Sequence, residues 1–334
     1  MNKHFISTLF FLIASSFIFS SCDSEYVALP NVTGKAGEVV LVISKNDFKQ
    51  DIGQAFKDVL CESYPGLPQD EPYFDLVNIP ESAFSSIFKT HRNLIFTNYG
   101  KQFKEAGLKV EKDKYSKPQT ILNFYAPNKE KLAKYLRDNK IKIQDILVET
   151  ERQRIINNYK NYEKVSIRRQ LEQKHGISLY VPRGYSLDLD TNNFVWISYE
   201  TPYTSQGLFI YDYPYTDTTM LTKEALISTR DSLLKAFVPG PMEGSYMSTE
   251  KENFVILFDE FMLNKKYFAE LRGLWRVEGD FMGGPFISLS TVDEERNRIV
   301  TVEGYVFAPK FDKRNYLRQV EAILHTLSFT DTKD

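Results

Sequence analysis

Residues 267–307 read YFAELRGLWRVEGDFMGGPFISLSTVDEERNRIVTVEGYVF. Tyr267 to Glu278, Pro285 to Val292 and Ile299 to Phe307 alternate apolar and polar residues as half-buried strands do. Gly279 to Gly284 and Asp293 to Arg298 supply the turns. Connections this short join antiparallel strands, because parallel neighbours need a crossover of a dozen residues or more. Working outward, Ile177 to Val181, Tyr185 to Leu189, Phe194 to Glu200, Leu208 to Tyr213 and Phe254 to Phe258 are further short apolar or aromatic runs. Two helical patterns accompany them. Thr222 to Phe237 carries Leu226, Ile227, Leu233, Leu234 and Phe237 on one face and stops at Pro239-Gly240-Pro241, and Asp312 to Leu327 carries Leu317, Val320, Ile323, Leu324 and Leu327. Residues 176–330 are therefore expected to form a mainly antiparallel sheet flanked by helices.

The first half has a different rhythm. Glu38 to Ser44 (EVVLVIS) is a continuous β-branched run, as in a strand covered on both faces. Asp51 to Tyr64 places Ile52, Ala55, Phe56, Val59 and Leu60 on one helical face. Strands at Tyr73 to Ile79, Asn93 to Asn98 and Gln119 to Tyr125 then alternate with helices at Glu81 to Lys89 and from Pro127-Asn128 to Asn139. Residues 38–140 read as an α/β layer. Residues 141–175 contain no proline or glycine and read as a connecting helix, solvated between two domains or, since Lys and Arg outnumber the acids, a basic arm toward acidic lipid headgroups. The whole is α+β, with two helix-covered sheet domains.

The N-terminus carries an address. A short polar start is followed by an apolar run from Phe5 to Phe19 and by Ser20, Ser21 and Cys22. That run is too short to span a bilayer as a helix and fits a cleaved signal peptide over 1–21, with Cys22 as the lipid attachment site of the mature chain. Residues 22–37, with Pro30, Gly34 and Gly37, read as a tether. Acidic residues directly after Cys22 suggest export to an outer surface.

The 334 residues are 42% apolar and 26% charged, with 25 Phe and 20 Tyr, a balance for packed cores. Without residues 1–21 there remain 41 basic and 44 acidic side chains, a net charge of −3. Nucleic acid is therefore a poor partner. Cys22 and Cys61 are the two cysteines. With Cys22 lipidated, no disulfide supports the fold, and Cys61 is expected to be a buried, inert thiol.

Nucleophile-elbow, phosphate-loop, dinucleotide and zinc-protease motifs are absent from the sequence. His91, His175 and His325 stand apart from one another, so no metal and no cofactor is expected. Asp188, Asp190 and Asn192 have calcium-loop spacing, but Asn193 and Tyr199 break the pattern, which reads as a hairpin turn. Glu278 with Asp280, Asp259 with Glu260, and Asp293 to Glu295 are adjacent carboxylates from which an acid/base pair could be built. The most suggestive stretch is Phe209, Tyr211, Tyr213 and Tyr215 at period two, preceded by Tyr199 and Tyr203. In a strand the four share one face. Such a face either stacks on sugar rings or a protein partner, or lies buried beneath a helix.

The order ISLYVPRGYSLDL, FVWISY, LFIYDYP, helix, GLWRVEGDFMGGPFISLS and a terminal helix ending HTLSF is similar to the Mog1/PsbP-like fold. Across the mature chain, the lipobox, EVVLVIS, YPGLPQDEPYFDL, RNLIF and KPQTILNFYAP resemble a family of Bacteroidota lipoproteins of unknown function. The resemblance implies fold and address but no activity. The sequence thus reads as a lipid-anchored cell-envelope protein, expected at the outer membrane, that acts as a non-enzymatic binding or interaction module for an envelope protein or glycan, with a carboxylate-pair glycan- or peptide-processing hydrolase as the alternative.

Overall fold

The computed structural model describes residues 28–331; the stretch expected as a signal peptide, Cys22 and the start of the expected tether lie outside the described residues. The chain is α+β. In the first half, β1 (Glu38–Val42) leads through α1 (Lys45–Phe48) and α2 (Asp51–Leu60) to β2 (Asp75–Ile79), and a 3₁₀ turn and α3 (Ser86–Lys89) lead to β3 (Asn93–Tyr99). A hairpin of β4 (Gly107–Lys112) and β5 (Thr120–Ala126) precedes α4 (Lys129–Asp138), whose first turn is capped by the Asn128 side chain accepting from the Lys131 amide. The sheet runs β2-β1-β3-β5-β4, parallel except for β4. Sequence patterning had no strand at β4, whose Lys and Glu residues hide its period.

The connecting stretch is two helices, α5 (Lys140–Asn161) and α6 (Val165–His175). It is not a solvated spacer. Ile143, Leu147, Glu151 and Arg154 of α5 are buried, and Arg154 donates to Asn93 Oδ1 at 2.8 Å and to the Arg92 carbonyl at 2.7 Å. Residues 30–37, expected as part of a tether, are instead attached to the first half. The Pro30 carbonyl accepts from the Lys117 amide, and Thr33 exchanges backbone hydrogen bonds with Thr90 and Arg92, so the chain is fixed to the first half from Pro30 onward. Cys61 is exposed rather than buried, because it lies just beyond the last inward-facing residue of α2. Its thiol is pushed up by partial burial and stays protonated.

The second half has β6 (Ile177–Ser178), β7 (Ser186–Asp190), β8 (Phe194–Glu200), β9 (Ser205–Pro214), α7 (Lys223–Phe237), β10 (Tyr246–Thr249), β11 (Leu257–Leu263), β12 (Lys266–Glu278), β13 (Gly283–Asp293), β14 (Arg298–Phe307), α8 (Arg314–Leu324) and β15 (Ser328–Phe329). The large sheet runs β10-β12-β13-β14-β9-β8-β7, with β11 also on β12, and every pairing is antiparallel. β6 leaves this sheet and pairs with β15. The strand expected at 254–258 begins instead at Leu257. One face of the sheet, with Ile210, Ile287, Leu289 and Val302, packs against α8 and α6; the other, with Phe209, Ala269, Phe286 and Ile299, packs against α7.

The two halves meet across α8. Glu71 caps its first turn, accepting from the Lys313 and Arg314 amides at 2.6 and 2.9 Å, and Arg314 pairs with Asp75 at 2.8 Å. Among the described residues, no helix is long and apolar enough to cross a membrane.

Candidate functional site

The α7 face of the large sheet carries the candidate site. α7 follows from a stripe of Leu226, Arg230 and Leu234, all buried. Nothing in the local sequence marks the arginine of that stripe as inward-facing. It donates to both Glu303 oxygens at 2.8 and 2.7 Å and to Thr249 Oγ1 at 2.7 Å, and its guanidinium lies 3.8 Å from the Phe286 ring centre. Neither Arg230 nor Glu303 is exposed to solvent. This pair fixes the middle of α7 to the sheet and leaves an opening at each end.

At the C-terminal end of α7 is a cleft of about 570 Å³. Its apolar lining includes Trp196, Trp275, Tyr305 and Phe307 from the strands and Met247 and Met282 beside them; Tyr203, Glu200 and Lys310 stand at its sides. Trp275 and Tyr305 are buried, Trp196 and Phe307 half-buried. Trp196 Nε1 donates to the Tyr305 hydroxyl at 3.0 Å and Trp275 Nε1 to the Val306 carbonyl at 3.2 Å. Both indole donors are thus used within the protein, and the walls offer rings and methyls. Burial pushes the Tyr305 phenol up, so it stays protonated.

At the N-terminal end a second cleft, about 780 Å³, is lined by Tyr215, Leu221, Phe258, Met262 and Tyr267 together with Lys223, Lys266, Glu260 and Glu294. Glu260 accepts from the Tyr267 hydroxyl at 2.5 Å, and burial and that carboxylate push Tyr267 up to about 12.

The six aromatic residues singled out in sequence do not form one binding face. Phe209, Tyr211, Tyr213 and Tyr215 do share a face, but Phe209 and Tyr211 are buried beneath α7, because β9 is an inner strand with helices over both sides. Tyr213 is half-buried and raised to about 12 by that burial, and Tyr215 reaches the N-terminal cleft. Tyr199 is on the opposite face, its ring centre 5.5 Å from that of Tyr185. Only Tyr203, 66% exposed in the β8–β9 turn, joins the tryptophan cleft. That cleft was hidden in the sequence because its walls come from segments scattered between Trp196 and Lys310.

The adjacent carboxylates are likewise dispersed. Asp259 and Glu260 point to opposite sides of β11, into different cavities. Asp293 is buried and paired with Arg296 and Arg298. Glu278 is held by Ser248 and Arg276, and Asp280 accepts from the Phe281 amide. Asp190 accepts from Gln170, Lys174 and His175, and His91 lies 2.6 Å from Glu38.

Sequence reasoning also missed an ionic cluster between the halves, beside a cavity of about 470 Å³. Glu321 accepts from Tyr64 at 2.9 Å, Arg152 at 2.9 Å and Arg272 at 2.8 Å, while Arg272 also grips Glu270. Burial opposes ionisation of Glu321, but Arg272 and Arg152 outweigh it and hold the carboxyl well below the usual range. Burial dominates at Glu270 and raises it. His325 completes the cluster, with burial pushing it down to about 3.

Residues 32–160 match a family described as a domain of unknown function, DUF8532, and residues 164–326 match a second, DUF4837. No curated protein matches the chain. Among solved structures it is similar to a point mutant of protein Mog1, at 10% identity over 47% of this chain and 92% of that one, with a TM-score of 0.32. The Ran-binding protein Mog1p of Saccharomyces cerevisiae gives 11%, 47%, 92% and 0.32. LpqN, described as involved in cell envelope biogenesis of Mycobacterium tuberculosis, gives 13%, 46%, 83% and 0.29.

Proposed function

We propose that the protein is a lipid-anchored component of the cell envelope, held through Cys22 to the outer membrane, and that its second half is a binding module for an apolar ligand seated in the tryptophan cleft. The observation that carries the binding reading is the lining: the only two tryptophans of the chain share one cleft with Tyr305, Phe307 and two methionines. A site that reads sugar hydroxyls needs convergent polar groups left free for them. Here both indole donors are already taken, so an acyl chain or similar amphiphile fits better than a glycan, with Lys310 at the side to meet an anionic head.

Because both tryptophans line the cleft, their emission reports on it directly. Titration with a long-chain fatty acid should give a saturable shift in tryptophan emission; a flat titration up to the solubility limit of the acid would reject the reading. The anchor is tested separately. Metabolic labelling with a fatty-acid analogue should mark the wild-type chain and leave Cys22→Ala unlabelled, and an unlabelled wild-type chain in the soluble fraction would overturn the address.

A further inference from the structure

The first sheet has unequal faces. One packs Val39, Leu41 and Ile95 against α2, α4 and α5. On the other, the apolar side chains that cover Val40, Val42, Ile79, Leu94 and Ile121 among the described residues are Phe84 and Phe88 of the 80–90 segment, Phe96 of the sheet itself and Tyr115. Strands of this parallel type are normally buried on both sides. Here the cover is a 3₁₀ turn and a four-residue helix, and from it Ile87 projects at 72% exposure.

The chain joins the fold beside this cover. Thr33 is paired with Thr90 and Arg92, one residue past α3, and Pro30 is bonded to Lys117. Leu29, at the edge of the described residues, is 43% exposed. Exposed lysines surround the junction: Lys89 and Lys114 place their ammonium groups 5.9 and 5.4 Å from the Tyr115 ring centre, and Lys35 and Lys117 are on the incoming segment and its partner. Glu81 of the cover itself is exposed, and three acids nearer the junction are engaged. Glu111 is shared by Lys109 and Lys114, Asp113 accepts from the Gln119 amide, and Glu38 is held by His91.

Pro30 is eight residue steps from Cys22, so full extension spans about 26–29 Å. Acyl chains on Cys22 put that residue at the headgroup level, which keeps the surface around Pro30 close to the bilayer. Each lysine near an anionic leaflet contributes on the order of 1 kcal/mol, within a screening length of about 8–10 Å. Tethering makes even a weak contact effective, since docking becomes intramolecular.

We propose that the lysine-rimmed cover of the first sheet, from which Ile87 projects, rests on the anionic headgroup layer of the membrane that holds Cys22. This rests on the lipid-anchor reading above, and the experiment separates the two. Full-length protein carrying a nitroxide at Ile87→Cys, in a Cys61→Ala background, is reconstituted into phosphatidylethanolamine vesicles containing phosphatidylglycerol, after mass spectrometry of its N-terminus. If the chain is acylated, the label should lose accessibility to a water-soluble nickel chelate several-fold on reconstitution. It should regain it with Lys89→Glu, Lys114→Glu and Lys117→Glu combined, while a label at Phe281→Cys stays open throughout. Equal accessibility at Ile87 in vesicles and in solution overturns the proposal while leaving the anchor intact. If mass spectrometry finds no acyl group, the anchor falls, and sedimentation of the same protein with the same vesicles decides the surface: salt-sensitive binding lost in the triple variant supports it, and no binding overturns it.

Discussion

His325 makes the junction of the two halves sensitive to acid, and the effect can be worked from the structure. Its side chain is 8% exposed, and the groups around it are Glu321 on its own helix, 3.8 Å away, Arg152 from α5, Arg272 from β12 and the Phe261 ring of β11. Burial, then Arg152, disfavours a second positive charge, while Glu321 is already occupied by three donors; the outcome is a pKa lowered from 6.5 to about 3. The unfolded chain therefore takes up this proton first. Stability present in full above pH 6.5 is lost as pH falls toward about 3, at up to about 1.4 kcal/mol per pH unit, or about 2 kcal/mol between pH 7.5 and pH 5. Glu321, whose value is depressed, adds its own loss only below about 4.5. His325 Nε2 makes no hydrogen bond, so His325→Phe should be nearly neutral at pH 7.5, within about 1.5 kcal/mol. Urea unfolding at the two pH values should show the wild type losing about 2 kcal/mol more than the variant. Parallel losses in the two proteins would refute the reasoning.

Arg230→Met leaves the buried Glu303 carboxylate without its partner and should cost about 3–5 kcal/mol in urea unfolding, whereas Arg230→Met with Glu303→Leu should recover most of that loss; equal midpoints for single and double variants would contradict this. Gly53→Ala should destabilise by about 1–3 kcal/mol despite the better helix propensity of alanine, because its Cβ would fall 2.0 Å from the Phe48 carbonyl oxygen, and an unchanged melting temperature would speak against that contact. Tyr203→Ala should weaken fatty-acid binding about fivefold, in line with a loss of about 1 kcal/mol of rim contact, with unchanged circular dichroism; unaltered affinity would remove Tyr203 from the cleft's function.

The parts of this fold that were legible in sequence are those decided over short distances. Gly279 to Gly284 ties β12 to β13 within a few residues, and alternation then sets which side chains face which helix, so Phe286 lies opposite Tyr305 in register. The illegible parts depend on partners far apart. Glu303 and Arg230 are 73 residues apart, and each looks like a solvent-facing charge in its own segment. Glu321 meets Tyr64 across 257 residues. Charge density in α5 suggested solvation, yet Arg154 and Glu151 are buried against Asn93. An aromatic strand face, similarly, carries no local mark of whether a helix lies over it, and at Phe209 and Tyr211 one does.

That helix also explains where binding can occur. A helix of 15 residues is about 22 Å long and roughly 10 Å across, while a path of seven strands spans about 29 Å at the usual spacing. One such helix cannot cover the whole face. The opposite face avoids the shortfall because α8 is joined there by α6 and by the first half of the chain. On the α7 side the Arg230–Glu303 pair fixes the helix at its middle, so neither end can move over its neighbouring cleft without taking a buried charge from its partner. The open area is consequently confined to the two ends, bordered by segments 201–204 and 239–241 at one end and by 218–224 and 265–266 at the other. Strand residues beneath the middle of the helix are sealed into the core, whereas those past its C-terminal end, Trp196, Trp275, Tyr305 and Phe307, share the walls of the cleft with loop residues.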